Sequence, residues 1–119
     1  MFRVKICGVT NLEDARCCAE AGADAIGLNF YPPSPRCVGV GVARRIALEM
    51  PATMTKVGVF VNASRDEMLR TCDQAGLDAI QLHGDETPQM MAELAGRQLI
   101  KAFRCGSNDA RPLAEFLRR

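Results

Sequence analysis

The chain has 119 residues, 48% hydrophobic and 24% charged, a composition that supports one folded domain with a core. Fifteen Lys and Arg stand against 14 Asp and Glu, and neither sign forms a long block. The charge pattern thus offers no footprint for nucleic acid or an anionic membrane and points to a small molecule or protein as partner. No apolar run approaches the roughly 18 to 20 residues of a membrane span, and the start MFRVKICG lacks the apolar centre of a signal peptide, so the chain reads as cytosolic.

In chain order, apolar runs at 3–7, 24–30, 56–61, 78–83 and 98–103 predict strands. Amphipathic stretches at about 11–21, 40–49, 64–75, 87–95 and 108–118 predict helices, giving five βα units. The strands are nearly continuous in Val, Ile, Leu, Phe and Ala, which predicts a parallel sheet covered on both faces. Thr10-Asn-Leu-Glu13 and Ser64-Arg-Asp-Glu67 fit the capping box, Pro88 after Thr87 fits a first helical position, and Gly22 and Gly76 fit left-handed helix ends.

The stretches AGADAIGLNF (21–30) and AGLDAIQLHG (75–84) share the frame A-G-x-D-A-I-x-L at a spacing of two βα units. Repeated βα units favour a (β/α) barrel over an ordinary doubly wound sheet. With Ile80 and Leu82 facing the helices, alternation turns Gln81 and His83 to the other face, together with Gly27 and Asn29. The same split puts Lys5 with Cys7 and Lys101 with Phe103 on that polar face, which in a barrel is the mouth.

Six cysteines, Cys7, Cys17, Cys18, Cys37, Cys72 and Cys105, are scattered with no C-x-x-C pair and read as reduced thiols. The single His83 leaves no ligand set with zinc spacing. Cys7 ends a strand just before a helix start, near Lys5. Such a thiol is either small core filler or a base favoured as thiolate by neighbouring positive charge. The remaining five read as packing residues.

Taken together and in this order, VKICGVTNLEDA, GADAIGLNFYPPSPR, KVGVFVN, DAIQLHGDE and IKAF resemble the phosphoribosylanthranilate isomerases of tryptophan biosynthesis across essentially the whole chain. The resemblance implies the (β/α)8 TIM-barrel fold, here about the first five βα units as a partial barrel. It implies an Amadori rearrangement of N-(5′-phosphoribosyl)anthranilate to 1-(2-carboxyphenylamino)-1-deoxyribulose 5-phosphate, with no metal or cofactor. Cys7 matches the family's general base, and Arg36 in PPSPR matches the Arg that pairs with the anthranilate carboxylate, a planar bidentate match. His83 either touches substrate or only hydrogen-bonds within the barrel. Lys5, Gln81 and Lys101 are expected as polar lining.

The family's general-acid Asp lies at the end of a sixth strand and its phosphate grip on later strands, whereas the sequence ends at Arg119. The expectation is therefore an amino-terminal piece of the enzyme with little or no activity alone, since loss of a general acid costs on the order of 10² to 10⁴ in rate. Turnover without that acid would send the search for a substitute to Asp85, Glu86 and Asp109. Three alternatives stand beside this reading: a complete flavodoxin-like binding module, another phosphosugar barrel enzyme, and a piece that self-associates through open sheet edges.

Overall fold

The computed structural model describes residues 3–94 and 96–102. Strands β1 (Lys5–Cys7), β2 (Ala25–Asn29), β3 (Thr55–Phe60), β4 (Ala79–Leu82) and β5 (Gln98–Lys101) alternate with helices α1 (Leu12–Glu20), α2 (Val40–Glu49), α3 (Arg65–Ala75) and α4 (Pro88–Glu93). The expected helix at 108–118, together with Phe103, Cys105 and Asp109, lies outside the described residues.

Every strand pairs in parallel with the one before it, in the order β1-β2-β3-β4-β5. A flavodoxin-type sheet would run 2-1-3-4-5, so the sequential order is that of a barrel arc and removes the doubly wound alternative. One sheet face carries Ile26, Leu28, Phe60, Ile80 and Leu82, buried against Ala15, Ala43, Ile46, Met68 and Cys72 of the helices. The opposite face carries the smaller cluster of Ala25, Val57 and Ala79, with Ile100 against it.

The repeated Asp of the A-G-x-D-A-I frame has one structural task in both copies. Asp24 Oδ2 accepts the Arg3 and Val4 amides at 2.8 and 3.0 Å, and Asp78 Oδ2 accepts the Lys56 amide at 2.9 Å. Each carboxylate thus pins the amino end of its strand to the strand before. The amides of Val4 and Arg3 hold the Asp24 carboxyl below the usual carboxylate range.

Ser64 and Thr87 cap α3 and α4 as predicted, accepting from the amides of Glu67 and Met90, with Pro88 at the start of α4. Gly22 and Gly76 take the left-handed conformation at helix ends, with φ of 86° and 73°. Two expectations need correction. The cap of α1 is Asn11, not Thr10: its Oδ1 accepts the Asp14 amide at 2.8 Å and its Nδ2 donates to Asp14 Oδ2 at 3.0 Å. Lys101 does not share the polar face either. Register pairs it with Leu82 and puts Ile100 opposite Gln81, so Lys101 follows the helix-facing phase. Leu99 and Ile100 are both apolar, and alternation could not decide the phase.

Candidate active site

The carboxyl ends of β1 to β4 and the loops that follow them gather the candidate residues. Cys7 pairs in register with Gly27 on β2. A Cβ on Gly27 would stand 2.9 Å from Cys7 Sγ and 3.1 Å from Lys5 Nζ, so the bare glycine leaves the space that both side chains share. Cys7 itself is exposed to solvent.

Arg36 reaches this corner from the loop between β2 and α2. The loop folds back because Asn29 Oδ1 accepts the Tyr31 amide at 2.7 Å and the Asn29 carbonyl accepts the Val38 amide at 2.8 Å. Ser34 Oγ then takes the Arg36 amide at 3.1 Å. The Arg36 side chain lies against Gly8, directly after Cys7. Lys5 and Cys7 thus share the space over Gly27, and Arg36 lies against the residue that follows Cys7.

Gln81 sits on the inner face between Val59 and Ile100 in register. His83 directly follows β4; its amide donates to the Phe60 carbonyl at 2.9 Å, and the residue is exposed. Gln81 on β4 and His83 just after it thus lie on a different strand from Cys7 on β1, with Arg36 on the loop after β2.

A second polar group at the same end is not evident from sequence. Glu86, its side chain 1% exposed, accepts from the Asn62 and Gly84 amides and from Lys101 Nζ, each at 2.8 Å. Lys101 Nζ also donates to the Gly84 carbonyl at 2.5 Å, and Asn62 Oδ1 accepts the Asp85 amide at 2.7 Å. Asn62 has φ of 53°, an unusual conformation for a side-chain-bearing residue, and this network holds it there. A Cβ on Gly84 would come within 2.5 Å of Asn62 Oδ1, so glycine permits the close approach of the two loops.

Burial alone would push the Glu86 carboxyl up; the Lys101 ammonium and the amides of Asn62, Glu86 itself and Gly84 outweigh it and hold the carboxyl below the usual carboxylate range. A carboxylate held ionised in this way is a poor proton donor near neutrality, which counts against Glu86 as a substitute acid. The network joins the β3–α3 and β4–α4 loops to the end of β5. The only sequence signal was the run of polar residues after β4.

Burial pushes the Cys72 thiol up to about 11, and burial, then Asp14 and Cys17, raise that of Cys18. Cys37 Sγ lies 3.8 Å from the Val38 carbonyl. Cys18, Cys37 and Cys72 are packing groups in form, whereas Cys17, expected to pack as well, is exposed on α1. Among the described residues no cluster of three or more His, Cys, Asp or Glu is placed to hold a metal, and no helix is long and apolar enough to cross a membrane.

Sequentially ordered parallel strands, helices packed on one face and polar side chains collected at the strands' carboxyl ends define the (β/α)-barrel class, present here as a five-stranded arc. Over residues 4–118 the chain matches the family model of N-(5′-phosphoribosyl)anthranilate (PRA) isomerase, and it belongs to that family. It is 55% identical over 109 residues to the N-(5′-phosphoribosyl)anthranilate isomerase of Pseudomonas syringae pv. tomato, covering 90% of this chain and 52% of that protein. It is 48% identical over 117 residues to the enzyme of Citrifermentans bemidjiense, covering 98% of this chain and 56% of that protein. Among solved structures, the Thermotoga maritima phosphoribosyl anthranilate isomerase superposes with a TM-score of 0.90 at 44% identity, covering 99% of this chain and 57% of that one. A phosphoribosyl anthranilate isomerase in complex with reduced 1-(o-carboxyphenylamino)-1-deoxyribulose 5-phosphate gives a TM-score of 0.89 at 44% identity, over 99% of this chain and 60% of that one. The chain spans about half the length of the curated relatives it matches.

Proposed function

We propose that these residues supply the base-bearing part of the active site of a phosphoribosylanthranilate isomerase, which converts the aminoaldose N-(5′-phosphoribosyl)anthranilate to its aminoketose. The observation that carries the reading is the corner at the end of β1, where Cys7 and Lys5 flank Gly27 and Arg36 lies over Gly8. In this reading a general acid protonates the furanose ring oxygen, and the C1′–O bond breaks as the amine nitrogen's lone pair forms the iminium. Cys7, as thiolate, removes the C2′ proton; the C–H electrons form the enolamine and neutralise the iminium nitrogen. The enol then returns a proton to C1′ as it becomes the ketone. Arg36 holds the anthranilate carboxylate by a charge-assisted pair of hydrogen bonds. Positively charged Lys5 beside the sulfur suits a substrate carrying carboxylate and phosphate. His83 and Gln81 line the mouth on the β4 side.

The general acid and the phosphate grip belong, in this reading, to the part of the relatives' length that the chain does not span. The five described cysteines are free thiols, which supports a reducing, cytosolic setting. Val4 before edge strand β1 and Ile6 on it are 50% and 40% exposed, and Ile6 shares the helix-facing side with Ile26, which supports cover of this side by a further helix or by a second copy. The test is the loss of fluorescence of freshly generated phosphoribosylanthranilate, with residues 1–119 alone and with the carboxy-terminal half of the Pseudomonas syringae relative added. Turnover that appears only in the mixture supports the reading. A mixture that assembles yet leaves the substrate unchanged overturns it.

A further inference from the structure

Three consecutive backbone amides after β4 each meet an acceptor from another segment or side chain. The His83 amide donates to the Phe60 carbonyl at 2.9 Å, the Gly84 amide to Glu86 Oε1 at 2.8 Å and the Asp85 amide to Asn62 Oδ1 at 2.7 Å. The Gly84 carbonyl accepts from Lys101 Nζ, so the Glu86–Lys101 ion pair holds both polar groups of the residue that follows His83. Asn62 is fixed in turn, because Glu86 Oε2 takes its amide at 2.8 Å. These are expensive local choices. A buried ion pair recovers in attraction little more than it loses in desolvation, and Asn62, with φ of 53°, stands in a left-handed conformation that residues with side chains seldom adopt. Both lie at the carboxyl ends of the strands, next to an exposed histidine. Costly backbone and buried charge at that end point to a task beyond holding the fold together.

We propose that Glu86, Lys101 and Asn62 are positioning residues for His83: they clamp the backbone from His83 to Asp85 in one conformation and so present His83 to the substrate already ordered. The inference deepens the proposed function and rests on its placing of His83 at the mouth. With the backbone held on both sides, only the two side-chain torsions of His83 stay free, and little further freedom is lost when the ring meets a ligand. An unclamped loop would have to be ordered at each binding event. The clamp also ties the β3–α3 and β4–α4 loops to the end of β5, so the backbone under His83 is referenced to three strands and not to its own loop alone.

The experiment uses the 119-residue chain with Glu86→Asp, Lys101→Met and Asn62→Gly, each with and without His83→Ala. Glu86→Asp keeps the charge but draws the carboxylate back by one methylene. Asn62→Gly suits a φ of 53° and removes only the acceptor of the Asp85 amide, so it carries the test should a charged-site variant unfold. Order is read from relaxation of the His83 and Gly84 amides and from the ring Hε1 line, which is unambiguous because His83 is the only histidine. Rate is read as kcat/KM of the mixture with the relative's carboxy-terminal half. In the folded variants the His83 amide order parameter should fall from about 0.85 to below about 0.6 and the ring line should shift. The rate should fall by roughly tenfold to a hundredfold, and by less than about twofold when the same change is added to His83→Ala. A His83 amide as ordered as in the parent, or an equal loss of rate in the His83→Ala background, overturns the positioning role and leaves the proposed function standing. A parent mixture that assembles without turnover overturns the proposed function instead, and the order parameter alone then decides whether the clamp holds His83.

Discussion

Replacing Glu86 by Gln changes one oxygen to an amide nitrogen at a side chain 1% exposed, within 2.8 Å of three donors: the Asn62 amide, the Gly84 amide and Lys101 Nζ. Gln has one acceptor oxygen, so its NH₂ must face a donor wherever it turns. It also removes the Glu86 carboxylate's charge from the Lys101 ammonium, whose side chain is 7% exposed. Removing one partner of a buried pair costs about 3–5 kcal/mol, because the survivor keeps its desolvation penalty. The Gly84 carbonyl retains Lys101 and softens that figure, so about 3 kcal/mol is expected. Urea denaturation of the chain at pH 7, followed by circular dichroism, measures the loss, and amide exchange at Asn62 and Gly84 reports whether the two loops open. Glu86→Gln combined with Lys101→Met removes both charges and should recover part of the loss. A single variant within about 0.5 kcal/mol of the parent, the range of ordinary surface changes, would show that the pair does not hold the mouth and refute the reasoning.

The sign of the pH effect follows from the depressed Glu86 carboxyl. Its stabilisation is complete above the ordinary unfolded value near ~4.3 and fades as pH falls through the lower folded value, so the gap between parent and Glu86→Gln should narrow in acid titrations followed by Tm. Ile80→Ala empties a fully buried position between sheet and helices and should cost about 2–5 kcal/mol, whereas Leu48→Ala, at a residue 73% exposed, should stay within about 0.5 kcal/mol in the same urea assay. Ser64→Ala removes the acceptor of the Glu67 amide and should lower stability by about 1 kcal/mol. With iodoacetamide at pH 8 and peptide mapping, exposed Cys7 and Cys17 should be alkylated well ahead of Cys72, which is buried and held at about 11.

The strands and most helix starts were legible because their signals are local. The frame A-G-x-D-A-I-x-L marks β2 and β4 together, and Ser64 with Glu67 or Thr87 with Pro88 defines a cap within four residues. The same reasoning slipped at α1, where Thr10 and Asn11 are adjacent good caps and both Glu13 and Asp14 offer an acidic partner. It slipped at β5 because two apolar neighbours erase the alternation and the long apolar stem of Lys101 can follow the helix-facing side up to Glu86. The motif singled out Cys7 and Arg36, but the approach of Arg36 to Gly8 and of Cys7 to Gly27 depends on a turned-back loop and on two missing Cβ atoms. The Asn62–Glu86–Lys101 network joins three separate segments and leaves no periodic trace in the chain. Side chains brought together by parallel register are visible only once the register is known.

The central claim is that Cys7 takes the C2′ proton of the substrate. Its most direct test is the initial rate of phosphoribosylanthranilate fluorescence loss in the chain supplemented with the relative's carboxy-terminal half, Cys7 against Cys7→Ala. The account predicts a fall of at least about 10²-fold with substrate binding retained; a Cys7→Ala mixture that turns over within about threefold of the parent would contradict it.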